Sequence, residues 1–329
     1  MTYSNLQSRF LTAGMSGDHA NLFAFPEPRE LLAAELEESH LLRQINDEIQ
    51  VYLVKGLECS SVMREIGRLR EVAFQAVGEG TGAIRDVDAY DEYYQQIVLW
   101  NAKEHAIIGG YRIAKAIDII QHKGVEGLYN HRLFQFHDDV LPKLSSGLEL
   151  GRSFINPEHW GRRNLDYLWM GIGAYLAENQ DIRYLFGAVS ISDDFPRKAK
   201  IAIAHFYDAY FGLDNPIVSA RNVFPLPSRN PYFGDNYTKE FKHLKQVLNS
   251  YGVSIPPLYK HYSELADMDG VSVLGFNIDE YFNNSVDGLM VVDCQKIKRK
   301  KAQRYIPNVS NIADSVKGMD LSGLAMTAS

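Results

Sequence analysis

Cysteine is almost missing: Cys59 and Cys294 are the two in 329 residues, far apart and in no CxxC pair. That excludes a disulfide scaffold and a zinc knuckle, and it points to a reducing compartment. No stretch approaches the ~18 apolar residues of a membrane span; the best, Leu165 to Ala177, is interrupted by Asp166. The opening MTYSNLQSRF lacks a basic region followed by an apolar core, so no secretory leader is read and the cytoplasm is the expected location. An excess of positive charge is missing as well. A net charge of −7 gives no global reason to bind nucleic acid. No GxSxG occurs and no cysteine has an obvious base, so a covalent acyl-enzyme has no support. GEGTG (78–82) lacks the Lys-Ser/Thr and following helix of a phosphate loop, and a plain loop is expected. His131, His137, Asp138 and Asp139 lack metal-ligand spacing and read as a solvated helix face, so no metal is expected.

What is present is ordinary for a globular chain: 46% hydrophobic and 23% charged residues. Residues 1–25 read as a loosely tied arm, and 26–45 as a helix with early acids and helically spaced leucines. EIQVYLVKG (48–56) alternates like a strand, and Val62, Ile66, Leu69, Ala73 and Val77 form a helical stripe over 60–78. Residues 95–116 predict two strands around a polar turn at Asn101–Glu104, followed by a helical stretch over 117–144. LELGRSFI (148–155) and YLFGAVSIS (184–192) read as strands, and 164–179 and 195–211 as helices. Within 164–179, GIG (171–173) is expected to allow close packing. Residues 212–305 are rich in loop signals but hold the strand-like VSVLGF and DGLMVVD, and 306–329 read as a disordered tail. Strands interleaved with helices and broken by a strand pair predict a mixed α/β sheet, not a doubly wound parallel one.

Four polar pieces stand out in order: Arg70-x-x-x-Phe74, Asp88-x-x-Asp91, Arg112 at a strand end, and Glu149-x-x-Arg152. In this ordered set the sequence resembles the acyl-homoserine lactone synthase branch of the GNAT acyltransferase superfamily. It is closer still to the ornithine-lipid and glycine-lipid (hemolysin-like) N-acyltransferases, through ELGRSF, YLWMGIGAYL, FGAVSIS and the late IPPLYKHY…GFNIDEYFNNSVDGLMVVD. The likeness covers roughly residues 49–305. It implies an arm and helix over 1–48, a GNAT-like core over 49–211 and a family-specific extension over 212–305 packed on that core.

The resemblance also implies a β-bulge in the central strand. On a regular strand, residues three apart point to opposite faces. One inserted residue lets Glu149 and Arg152 share a face, with Gly151 easing the irregular backbone. Splaying of the neighbouring parallel strand then leaves an edge for a pantetheine arm and a backbone N–H for a thioester carbonyl. Glu149 is expected as general base toward the acceptor amine, with Asp88 and Asp91 in reserve. Arg70, Arg112 and Arg152 are expected to pair with these acids, one of them staying free for the acceptor's carboxylate. Phe74 is placed on the lid side of the pocket or in the core. His105 and His159 are weaker candidates for proton relay.

NPEHWGRRN (156–164) lacks the glycine pair of a coenzyme A pyrophosphate loop. Acyl carrier protein is therefore the expected donor, with acyl-CoA the alternative. Arg162, Arg163, Arg197, Lys198 and Lys200 are the docking candidates; KIKRKKAQR (296–304), the densest basic run, is another, and reads equally as a solvated helix face or a peripheral contact with the inner membrane. YLWMGIGAYL and the 184–191 strand are candidate walls of an acyl tunnel, or plain core. The expected activity moves a medium or long acyl chain, with or without a 3-hydroxyl, to the α-amine of an amino acid or small amine, with no metal or redox cofactor. A lactone synthase using S-adenosylmethionine and a non-catalytic, membrane-lytic lipid binder are the rivals.

Overall fold

A computed structural model of the protein describes residues 23–55, 60–227, 234 and 236–307. The expectations for residues 1–22, for Cys59 and for the tail from 308 lie outside the described residues.

An eight-stranded sheet organises the chain, in the order β1-β2-β3-β4-β6-β7-β10-β9. Helix α1 (Arg29–Glu37) precedes the hairpin of β1 (His40–Gln44) and β2 (Ile49–Lys55). Here the sequence reading needs correction, because the helix predicted over 26–45 stops at Glu37. Asn46 Oδ1 accepts the N–H groups of Glu48 and Ile49, folding 40–44 back onto β2 as an edge strand. Leu41 is exposed and Leu42 buried, the alternation of a strand.

Helix α2 (Ser60–Gln75) lays Val62, Ile66, Leu69 and Ala73 against one face of the sheet, meeting Val54, Val98, Trp100 and Phe154. The antiparallel pair β3 (Gln95–Asn101) and β4 (Ala106–Lys115) turns at Asn101, as predicted. Residues 117–144 are far less helical than predicted. They hold α3 (Ala116–Lys123), 3-10 turns, β5 (Phe134–Phe136) and the short α4 (Leu141–Ser145). Gly124, at a φ of 73°, ends α3 where no side chain would favour the backbone.

β6 (Gly147–Ile155) and β7 (Tyr184–Ile191) form the sheet's one parallel pair, linked by α5 (Asn164–Glu178) on the opposite face from α2. The GIG glycines of α5 allow close approach: a Cβ on Gly171 would sit 2.5 Å from Val51, and one on Gly173 2.2 Å from the Tyr305 carbonyl. After α6 (Arg197–Phe211), β8 (Val218–Ala220) pairs with β5 in a second small sheet. Loop signals dominate the sequence of 212–305, yet two helices form within 237–265. They are α7 (Tyr237–Ser250), which buries Phe241, Leu244 and Leu248, and α8 (Pro257–Leu265). β9 (Val271–Asp279) and β10 (Ser285–Asp293) complete the large sheet, β10 lying against β7, and α9 (Arg299–Tyr305) follows. The mixed α/β class is as read from the sequence. No helix among the described residues is long and apolar enough to cross a membrane.

Candidate active site

Between the pairs Gly110–Phe154 and Arg112–Gly151, β4 holds one residue and β6 holds two, Arg152 and Ser153. This is a β-bulge in β6. Glu149, opposite Ala114, and Gly151, opposite Arg112, lie on the α2 face, and the extra residue brings Arg152 to that face too. Leu148 and Leu150 face the core beneath α5. The irregular backbone falls on Arg152, at a φ of 49°, and not on Gly151 as the sequence reading has it. Ionic contacts hold the arginine in that unfavourable region. Its guanidinium lies 2.9 Å from Asp86 and 3.5 Å from Asp88, and donates to the Tyr129 hydroxyl at 2.8 Å. What Gly151 supplies is space, since a Cβ built there meets nothing within 4 Å.

The parallel ladder of β6 and β7 ends at Glu149–Phe186. Beyond it the strands diverge around a cavity of about 570 Å³, lined by residues 150–155 of β6 and 188–190 of β7. Phe74 and Phe282, edge to face at 4.9 Å, border it; Phe74 thus serves both core and cavity. The tunnel reading of YLWMGIGAYL is corrected: Trp169, Ile172 and Leu176 belong to the core, and α5 reaches the cavity only through Asn164 and Leu165. Residues 253–258 form that wall instead.

Around the bulge lies a buried ionic network. Arg70 pairs with Asp91 at 3.0 Å and donates to Gln96 at 2.7 Å. Arg112 pairs with Asp88 at 2.5 Å and Asp91 at 3.3 Å, beneath the rings of Tyr90, Tyr94 and Tyr129. Burial disfavours the Asp91 anion, but Arg70 and Arg112 outweigh it and hold that carboxyl at about 2. Asp88 and Asp91 also cap the 3-10 turn at 89–92 through a reciprocal capping box. The pairing expected from sequence is realised for Asp88 and Asp91, with Asp86 as the third acid in place of Glu149. None of the three arginines is free of a carboxylate; Arg152 alone of them lines the cavity.

Glu149 is buried behind Tyr129. It accepts from the Tyr94 hydroxyl, from the N–H and side-chain amide of Asn130 at 2.6 Å each, and from Tyr129 N–H at 3.3 Å. Burial raises its carboxyl while these donors oppose the rise. It is not among the residues lining the cavity. The base role assigned to it from sequence therefore lacks direct access to a substrate there.

Residues 69–170 match the acetyltransferase (GNAT) domain. A glycine N(alpha)-acyltransferase of Bacteroides thetaiotaomicron is 31% identical over 299 residues, 85% of this chain and 88% of that protein. The chain belongs to this GNAT acyltransferase family. An L-ornithine N(alpha)-acyltransferase of Rhizobium meliloti is 26% identical over 251 residues, 72% of this chain and 76% of that one. Among solved structures, the acyl-homoserine lactone synthase BjaI, with SAM and isopentyl-CoA, aligns with a TM-score of 0.36 at 12% identity, covering 74% of this chain and 82% of that one.

Three carboxyls of the acyltransferase's cavity escaped the sequence reading: the exposed Asp194 and two buried ones. Glu79 belongs to the GEGTG loop, and Asp287 lies between Val286 and Gly288 in strand β10. Glu79 accepts from the Ser190 hydroxyl at 2.9 Å, and burial pushes its carboxyl up to about 7. Burial and the charges of Asp279 and Glu79 raise Asp287 well above the usual range. An acid between glycines at the end of an amphipathic helix, and an Asp flanked by Val286 and Gly288 at the start of a strand-like run, were the available signals.

Of the histidines, His159 lines the cavity, whereas His105 stacks on Trp100 at a turn. His131 and His137 bond Arg221 and Ser219. Arg162, Arg163, Arg197 and Lys198 are exposed, and Arg162 stands at the cavity. Lys200 is buried and paired with Asp193, which removes it from the docking set. In the basic run, Lys296 pairs with Asp269 and Arg304 with Asp166, while Arg299 and Lys300 are exposed.

Proposed function

We propose that the enzyme transfers a fatty acyl group from the pantetheine thioester of an acyl carrier protein to the α-amine of an amino acid. The product is an N-acyl amino acid, the class of product named by its glycine- and ornithine-acylating relatives. The observation that carries this reading is the divergence of β6 and β7 at Glu149–Phe186, directly beside the cavity. An extended pantetheine arm can add to a strand edge of that kind, placing its thioester next to Gly151 and Arg152. The apolar walls, including Trp160, Leu165, Ile255 and Leu258, suit an acyl chain. Arg152, the one of the three arginines lining the cavity, is the cation an acceptor's carboxylate would meet there, in competition with Asp86 and Asp88. The carrier-protein donor is supported by the missing glycine pair in 156–164, by exposed Arg162 at the cavity, and by the exposed Arg163, Arg197 and Lys198.

The amine attacks the thioester carbonyl, the tetrahedral intermediate collapses, and the pantetheine thiol leaves. The test is incubation of the purified enzyme with an acyl carrier protein thioester and glycine or ornithine, read by mass spectrometry. An N-acyl amino acid and free thiol in equal amounts are expected. An acyl lactone formed with S-adenosylmethionine, or no product from any acceptor, would refute the reading.

A further inference from the structure

We propose that Glu79, seated beside Asp287 on the cavity wall, accepts the proton of the acceptor's ammonium group, and that the two carboxyls together form the seat of that ammonium. This rests on the acyltransferase reading above and adds to it the proton acceptor.

Elimination comes first. Asp86, Asp88 and Asp91 are each tied to arginine, and Asp279 is paired with Arg132 at 3.0 Å. Glu149 lies behind Tyr129 with its oxygens occupied. Glu79 and Asp287 differ on both counts: they line the cavity, and neither has a cationic partner among the described residues. Asp194 borders the cavity but is exposed to solvent, whereas Glu79 and Asp287 are buried. The side chains that bond them are neutral hydroxyls, Ser190 for Glu79 and Ser285 for Asp287 at 3.2 Å. Ser190 is the cross-strand partner of Asp287, which sets the two acids side by side. Adjacent buried carboxyls that form no ion pair of their own, with only Arg152 acting on Asp287 from a distance, cannot both ionise easily, so they share a proton until a cation arrives. A substrate ammonium is the missing charge.

The position of Glu79 is firmly built. Glu79 N–H donates to the Phe74 carbonyl at 2.8 Å and Gly78 N–H to that of Gln75 at 3.1 Å, the paired bonds of a helix C-terminal cap with Gly78 at a φ of 79°. The buried Glu71 then accepts the N–H groups of Thr81 and Gly82, and Asn283 donates to the Gly78 carbonyl. A Cβ on Gly80 would lie 2.2 Å from Gln75, so the loop has one tight path.

In the step, one ammonium proton passes to the Glu79 carboxylate. The freed amine forms the C–N bond, the C–S bond breaks, and the second amine proton goes to the departing sulfur to give the thiol. Glu79 then returns its proton to water. The other titratable or charged groups bordering the cavity are Asp287 from β10, Arg152 from β6, Asp194 after β7, His159 and Arg162 before α5, Tyr262 of α8, and Tyr111 and Tyr129. Tyr259 of α8 sits behind Gly288, its hydroxyl 2.5 Å from where a Cβ would stand.

The experiment measures kcat against pH for wild type, Glu79→Gln and Ser190→Ala, with an acyl carrier protein thioester and glycine or ornithine as acceptor. Wild type should gain activity through a limb near pH 7. Glu79→Gln should abolish that limb and lower kcat about 10²- to 10³-fold, with an unchanged melting profile near pH 4. Ser190→Ala should move the limb upward, since the lost hydroxyl favours the carboxylate. With aminoacetonitrile, already neutral at pH 8, the Glu79→Gln loss should shrink to under about tenfold. Near-wild-type turnover in Glu79→Gln, or equal losses on both amines with the limb intact, overturns the proposal and leaves the acyltransferase reading standing. A wild type inert toward both amino acids removes the acyltransferase reading and this inference with it.

Discussion

Glu149 and Arg152 meet at opposite ends of Tyr129: the tyrosine's N–H points to Glu149 Oε2, and its hydroxyl accepts from Arg152. The acid is thus a clamp on the backbone at 129–130, and that segment in turn orients the cation at the cavity. Two charges that a regular strand would hold apart act on one residue.

Glu149→Gln should therefore register first as lost stability. An amide turns an N–H₂ toward groups that are themselves donors, leaving buried polar atoms unsatisfied, at about 2–3 kcal/mol. Urea unfolding measures it. Unchanged stability with turnover abolished would give the base role back to Glu149.

Removing Arg70 tests the buried network. Arg70→Met strips Asp91 of one of its two arginines and Gln96 of its guanidinium donor, and should cost about 3 kcal/mol. Asp91 adds a pH signature. Its folded carboxyl lies at about 2 against an ordinary 3.8, so its contribution is present above 3.8 and fades as pH falls through 2. In the variant that acid-side loss should shrink, as acid titration of the fold would show.

Gly151→Val separates space from backbone. The added methyl groups point into open cavity and the local φ is not left-handed, so melting should hardly change. Transfer of long acyl chains should fall roughly tenfold relative to short ones, as a narrowed apolar pocket implies. Competition between two donor lengths gives the ratio directly.

Glu79 has a stability signature apart from turnover. Its folded carboxyl is raised from 4.5 to about 7, so relative to the unfolded chain it favours folding below 4.5, and that advantage is lost as pH rises through 7. Glu79→Gln keeps the neutral shape at all pH. It should match wild type near pH 4 and exceed it at pH 8, on the order of 2 kcal/mol.

Carrier-protein docking through exposed cations predicts a salt-dependent KM. Arg197→Glu with Lys198→Glu should raise KM for the carrier-linked donor about tenfold at low salt, with kcat nearly unchanged. The difference should narrow as ionic strength rises. A constant ratio across salt concentrations places docking elsewhere.

Strands β2 to β4, helices α2 and α5, and the mixed class of the sheet could be read from periodicity, because each follows from side chains alternating over a few neighbouring residues. The ordered motifs likewise pointed to the bulge, to Arg152 and to the ionic network. Leucines at 32, 36, 41 and 42 suit helix and strand alike, and only the Asn46 turn that pairs 40–44 with β2 settles that segment.

The rest depends on pairings across long stretches of chain, which local pattern does not encode. β10 lies beside β7 about a hundred residues after it, and this alone sets Asp287 against Ser190 and Glu79. The choice of Asp86 over Glu149 for Arg152 depends on where the 3-10 turns place Tyr129 and Asn130. Chain chemistry decided which charges had to be buried; packing decided which of them found a partner, because a carboxyl's character inside a protein is set by its neighbours in space.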